Sequence, residues 1–170
     1  MTRASVLALT QAMKEMAPRK KPLVIAGNEE FFSAGAELQE IAALDGAPAF
    51  EFAKMGQKLM ELVHEFHAPV YAAISGYCMG GGLDLALACH HRIASPSAVF
   101  GHRGAALGLI TGWGGTQRLP RLIGRARALE MFVTAEKVDA RQAQRIGLVD
   151  VISDHPVAEA LSRIARSTSL

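Results

Sequence analysis

A run of three glycines between an apolar strand and an apolar helix restricts this chain more than any other feature. Pro69 to Cys89 reads PVYAAISGYCMGGGLDLALAC. Val70 to Ile74 form a short continuous apolar run of strand type, bounded by Pro69 on one side and Ser75-Gly76 on the other. Leu83, Leu85, Ala86, Leu87 and Ala88 suit a buried helix, and Gly80, Gly81 and Gly82 fall where that helix begins. Glycines at this place let another molecule approach backbone amides that lack an intrahelical partner, at the positive end of the helix dipole. Such a corner suits developing negative charge. It also suits a plain tight turn with close strand–helix packing, and the triplet alone does not separate the two.

Spacing removes several alternatives. There is no GxGxxG followed by a ribose-binding acid and no GxxxxGK[ST], which argues against a dinucleotide or ATP site. Ser75 stands in AISGY, outside a GxSxG elbow, which argues against a serine hydrolase. A second corner lies upstream at Phe31 to Leu38, FFSAGAEL, after the strand-like Leu23-Val24-Ile25-Ala26 and at the opening of another helix. Two strand-to-helix corners, each with a small residue able to present an N–H, can aim two donors at one oxygen. That is what an oxyanion hole requires.

FSAGAEL, PVYAAISGYCMGGGLDLALAC, GLITGWGGTQRLPRLIG and AEKVDARQAQRIGLVD, in this order and spacing, resemble the crotonase superfamily, the enoyl-CoA hydratase/isomerase family, over nearly the whole chain. The resemblance implies a single α/β domain over residues 1–170, a ClpP/crotonase-like core of repeated β-β-α units. It implies that the N–H groups of Ala36 and Gly81 hold the carbonyl of a coenzyme A thioester, with the backbone from Ala34 through Gly35, Ala36 and Glu37 to Leu38 lining the adenine and pantetheine path. Coenzyme A enters as part of the substrate, with no separate cofactor and no metal. Addition to an enoyl thioester, α-proton removal and decarboxylation all place negative charge on the thioester oxygen as an enolate. One lost donor typically costs about 3–4 kcal/mol of barrier.

The acid–base groups depart from the hydratase pattern. One hydratase glutamate corresponds to Asp84, which keeps the carboxylate but reaches about 1.5 Å less, one C–C bond. An acid in the first turn of a helix is also favourable with the dipole and needs no catalytic role. The second glutamate corresponds to Gly104, which transfers no proton, so two-carboxylate hydration is in doubt. Dihydroxynaphthoyl-CoA synthases also carry a glycine there, making room for bicarbonate as base, but have an aspartate where this chain has Thr111. His102 and Arg103 precede Gly104 and are expected in a polar surface loop, with a replacement acid or an anion contact as the alternative. His90 and His91 at a helix C-terminus need no function. His64 and His67 form no metal motif with an acid.

Composition narrows the class further. Half of the 170 residues are hydrophobic and the net charge is +2, which points neither to disorder nor to nucleic-acid binding. Arg19-Lys20-Lys21 could meet coenzyme A phosphates or lie on a solvated turn, and Arg118, Arg121, Arg125 and Arg127 are expected to face solvent and neighbouring subunits. Two cysteines, Cys78 and Cys89, allow at most one disulfide, and no apolar run reaches the eighteen or so residues of a membrane span. A cytoplasmic protein without a membrane contact is expected. Helices are expected at Ser5–Met16, Ala49–Phe66, Gly81–Cys89, Gly115–Ile123, Ala126–Val133, Ala140–Ile146 and from Val157. Strands are expected at Leu23–Ala26, Val70–Ile74, Arg92–Ala94, Val99–Gly101 and Leu148–Ile152, alternating with the helices as in a parallel α/β sheet.

Family members usually begin with two further strands and continue through C-terminal helices that build a trimer. The resemblance therefore implies a core truncated at both ends, and a homo-oligomer, trimer or dimer of trimers, if a complete chain exists. Three functions remain open at this point: an acyl-CoA enzyme acting through an enolate, a thioester-binding remnant with weak catalysis, and a structural subunit of a crotonase oligomer.

Overall fold

The computed structural model describes residues 1–168 and contains two four-stranded sheets flanked by helices. The chain opens with α1 (Arg3–Met16), capped by the Thr2 hydroxyl, which accepts from the Ser5 N–H at 3.2 Å. A 3-10 turn leads to β1 (Leu23–Ala26), then β2 (Phe31–Ser33), α2 (Leu38–Ala42) and α3 (Gly46–His64). Phe52, Gly56, Leu59, Met60 and Val63 recur at helical spacing and bury one face of α3. Next come β3 (Val70–Ile74), β4 (Tyr77–Met79), α4 (Gly81–Ala88), β5 (His91–Ala94) and β6 (Val99–Gly101). After a 3-10 turn over Arg103–Leu107 follow α5 (Gly115–Ile123), α6 (Arg125–Thr134), β7 (Val138–Asp139), α7 (Ala140–Arg145), β8 (Val151–Ile152) and α8 (Pro156–Thr168).

The first sheet has the order β1-β3-β5-β8 and is parallel throughout. Every residue of β3 is buried, as expected of a central strand covered on both faces. Its alternation divides the interior: Val70, Ala72 and Ile74 join the main core with Leu59, Met60, Leu83 and Leu119. Tyr71 points the other way, packing with Ile93 and with Ala160 and Ile164 of α8. The second sheet, β2-β4-β6-β7, is parallel except for the antiparallel pair β6 and β7. The α/β architecture and the paired strand–helix corners expected from the sequence are present.

Three details differ from expectation. The helix expected from Ala49 starts at Gly46, behind Asp45 at its N-cap, and ends at His64. Phe31–Ser33, Tyr77–Met79 and Val138–Asp139 are strands, too short to show any periodicity in sequence. The strand expected over Leu148–Ile152 is confined to Val151–Ile152, because the N–H groups of Leu148 and Val149 turn back to the Ala143 carbonyl at 2.8 and 3.3 Å. Cys78 and Cys89 are both buried free thiols. Among the described residues no helix is long and apolar enough to cross a membrane.

Candidate active site

Pairing of β2 with β4, Ser33 opposite Cys78, sets the two strand-to-helix corners side by side. At the first corner Gly35 has φ +96°, and at the second Gly80 has φ +50° and ψ −119°; side chains disfavour both conformations. A Cβ built on Gly35 would lie 2.8 Å from the Met79 carbonyl oxygen and 3.4 Å from the Gly81 nitrogen. One built on Gly81 would lie 3.5 Å from the Ala36 nitrogen. The two amides singled out from the sequence are therefore neighbours. Neither N–H donates to a protein acceptor among the described residues, whereas the flanking amides are engaged: Gly35 to the Ser33 hydroxyl, Glu37 to the Met1 carbonyl and Gly80 to the Gly101 carbonyl. Gly82 is needed for packing, since a Cβ there would stand 2.5 Å from the Ser33 carbonyl oxygen.

The remaining residues of the first corner lie along the surface. Ala34, Glu37 and Leu38 are exposed, Ala36 is half-buried, and the Glu37 carboxylate caps α2 by accepting from the Gln39 N–H at 3.4 Å.

Asp84 lies on the first turn of α4 and is 1 % exposed. Its Oδ2 accepts a hydrogen bond from the Thr111 hydroxyl, while Oδ1 has no hydrogen-bond partner. Burial pushes its pKa up to about 6, against the opposing influence of Thr111, the nearby N–H groups of Trp113 and Gly115, and the Arg118 guanidinium. A carboxyl tuned to that range is suited to proton transfer near neutral pH.

Four further residues contribute to this environment. His102, expected in a surface loop, is 3 % exposed and places Nε2 at 3.6 Å from Asp84 Oδ1. The loop that carries it leaves β6 inward and reaches the surface at the next residue, Arg103. Burial lowers the His102 pKa to about 4, so the imidazole is neutral at pH 7. Arg118, expected to serve solvent or a neighbouring subunit, is half-buried and donates to the Trp113 carbonyl at 3.3 Å, because α5 begins directly against α4. Trp113 is 4 % exposed and fills the space that Cβ atoms on Gly56 and Gly81 would need. Thr111 stood out only as a departure from a relative's aspartate, yet it is the donor to Asp84.

Gly104 is not an empty seat for a second acid. A Cβ there would stand 2.7 Å from the Leu109 carbonyl oxygen, and the Leu109 N–H returns to the Gly104 carbonyl at 2.8 Å. The turn closes on itself at that point, so a side chain added at Gly104 would meet backbone. A groove of about 1080 Å³ is lined by Gln57, Glu61, His64, His90 and Arg121 among others. It adjoins Trp113 and Arg118 but not Ala36, Gly81 or Asp84, so its size does not mark the chemistry.

The fold is α/β, and its parallel strand–helix corners set two backbone amides side by side, without a protein acceptor among the described residues, with a buried carboxyl one turn further along α4. The enoyl-CoA hydratase/isomerase family model matches residues 2–168, and the chain belongs to that family. It is 39% identical to DspI of Pseudomonas aeruginosa, covering 100% of this chain and 67% of that one with a TM-score of 0.95. An enoyl-CoA hydratase from Bacillus anthracis is 35% identical over 96% of this chain and 67% of its own, with a TM-score of 0.88. An enoyl-CoA hydratase subunit from Geobacillus kaustophilus is 32% identical over 98% of this chain and 65% of its own, at 0.89. The chain thus spans about two thirds of the length of these relatives.

Proposed function

We propose that this chain binds an acyl-CoA thioester with its carbonyl oxygen between the N–H groups of Ala36 and Gly81, and stabilises the enolate formed there. The observation that carries this reading is the adjacency of two backbone donors without protein acceptors, one of them at the N-terminus of α4. Asp84 removes the α-proton: its carboxylate takes the hydron, the C–H electron pair moves to the carbonyl, and the charge settles on the oxygen facing the two donors. The same carboxyl can return the proton to another carbon, as an enoyl-CoA isomerase requires. Hydration needs a second acid–base group to handle the water, and Gly104 supplies none. Proton transfer at the α-carbon is therefore the reaction this site favours.

Coenzyme A arrives as part of the substrate and no other cofactor is invoked. Fatty acid or related acyl-CoA metabolism in the cytoplasm, by a homo-oligomer, is the setting this reading implies.

Ala36→Pro removes one donor outright, because a proline nitrogen carries no hydrogen. Its folded product should lose about 10²- to 10³-fold in turnover. Crotonyl-CoA hydration by the native chain should stay well below a typical enzyme rate of about 10 s⁻¹. Unchanged turnover in the proline variant, or hydration at or above that rate, would overturn the assignment.

A further inference from the structure

His102 plays no part in the mechanism above, yet its surroundings are those of a working group. The ring packs against Phe132 with centroids 5.1 Å apart, and neither ring nitrogen has a hydrogen-bond partner. Among the described residues, Asp84 Oδ1, at 3.6 Å from Nε2, is the other buried polar side-chain atom without one. Thr111 holds Oδ2, so the two oxygens of one carboxylate face one occupied donor and one imidazole. The charged or titratable groups around Asp84 are His102 from the end of β6, Arg118 from α5 and Cys78 from β4. Arg118 donates to the Trp113 carbonyl and the Cys78 thiol is held neutral by burial, so beyond Thr111 and the nearby Trp113 and Gly115 N–H groups, His102 is the side chain placed to complete the carboxylate.

We propose that His102 is the positioning residue for Asp84, its neutral imidazole donating from Nε2–H to Oδ1 so that Thr111 and His102 fix the two carboxylate oxygens in direction. At 3.6 Å the contact is slightly longer than a hydrogen bond, and a small turn of the imidazole, whose nitrogens have no other partner, closes it in the free protein. Donation to the ionised carboxylate favours that form, so His102 also keeps Asp84 from being protonated at higher pH still. No proton leaves Asp84 through the ring: the imidazole stays neutral, and its single hydrogen remains on Nε2. The proposal deepens the reading of Asp84 as base, but the Asp84–His102 pair itself belongs to the free protein and is measurable without substrate.

The test is carbon NMR of the Asp84 carboxyl in the ligand-free chain, identified by its loss in Asp84→Asn and followed against pH. The native inflection is expected near pH 6. His102→Phe keeps a ring beside Phe132 and removes the donor, and should raise the inflection by about one unit. His102→Gln, which can offer an N–H in the same direction, should bring it back. An inflection unmoved in folded His102→Phe, or raised equally in both variants, overturns the proposal. Nitrogen NMR of native His102 needs no variant: a protonated Nε2 supports the proposal, and a protonated Nδ1 with a bare Nε2 contradicts it. If these shifts appear while no acyl-CoA is turned over, the proposed function fails and the pair stands.

Discussion

Asp84 is ionised at neutral pH in a place where burial resists ionisation, held by the Thr111 hydroxyl, the nearby N–H groups of Trp113 and Gly115 and the field of Arg118. Replacement by asparagine keeps its size and its place on α4 but cannot accept a proton, so α-proton exchange should fall by about 10²- to 10⁴-fold. A residual rate within threefold, measured on the folded variant, would reduce Asp84 to a helix-dipole acid. Gly104 behaves differently from what its alignment with a glutamate suggests. Because the Leu109 carbonyl fills its Cβ position, even Gly104→Ala should cost about 1–3 kcal/mol in denaturant titration, and Gly104→Glu should not restore hydration. Equal stability would show that the turn has room after all. The adjacent corners at Gly35-Ala36 and Gly80-Gly81 are legible in sequence because close approach of two backbones needs small residues in a fixed local string. His102 is not, since only the tertiary path of the loop after β6 turns a histidine between a glycine and an arginine inward.

Among the elements, α3, α4 and α5 are joined through Trp113. Its indole contacts the Gly56 position on α3 and the Gly81 position at the start of α4, and packs tilted against Phe52 with centroids 5.4 Å apart at 44°. Trp113→Ala would leave a cavity between these helices and should cost about 3–5 kcal/mol. Calorimetric unfolding with a loss under about 1 kcal/mol would show that the helices close over the gap. Arg92 performs a similar task at the other end of α4, donating at 2.8 Å to the Cys89 carbonyl beyond that helix and at 2.9 Å to the Leu148 carbonyl before β8. Lysine cannot reproduce that fork of donors, so Arg92→Lys should destabilise nearly as much as Arg92→Met. Full recovery by lysine in the same melts would count against it. Long elements such as α3 and β3 were readable because their burial repeats over several residues. Two- and three-residue strands exist only through their partners in the sheet, and the shortened β8 reflects the competing bond of Leu148 to α7.

At the scale of the whole molecule, the buried acid and the buried histidine act on stability with opposite signs. Asp84 is raised from 3.8 to about 6, so the native state holds the extra proton between those values and stability gained at low pH is lost as pH rises through about 6. His102 is lowered from 6.5 to about 4, so the unfolded state holds the extra proton in that window and stability is lost as pH falls through it. Each contribution is up to about 3 kcal/mol, and together they nearly cancel. From pH 6.5 to 4, Asp84→Asn should therefore lose stability on acidification relative to the native chain, and His102→Phe should gain it; parallel profiles would refute the two burials. The central claim is that Ala36, Gly81 and Asp84 generate an enolate from an acyl-CoA thioester. Its most direct test is proton NMR of butyryl-CoA in deuterated water with the native chain, Ala36→Pro and Asp84→Asn. The account predicts deuterium at the α-carbon with the native chain, reduced about 10²-fold or more in both variants. Absence of exchange with the native, folded chain while butyryl-CoA is bound, or exchange equal in all three, would contradict it.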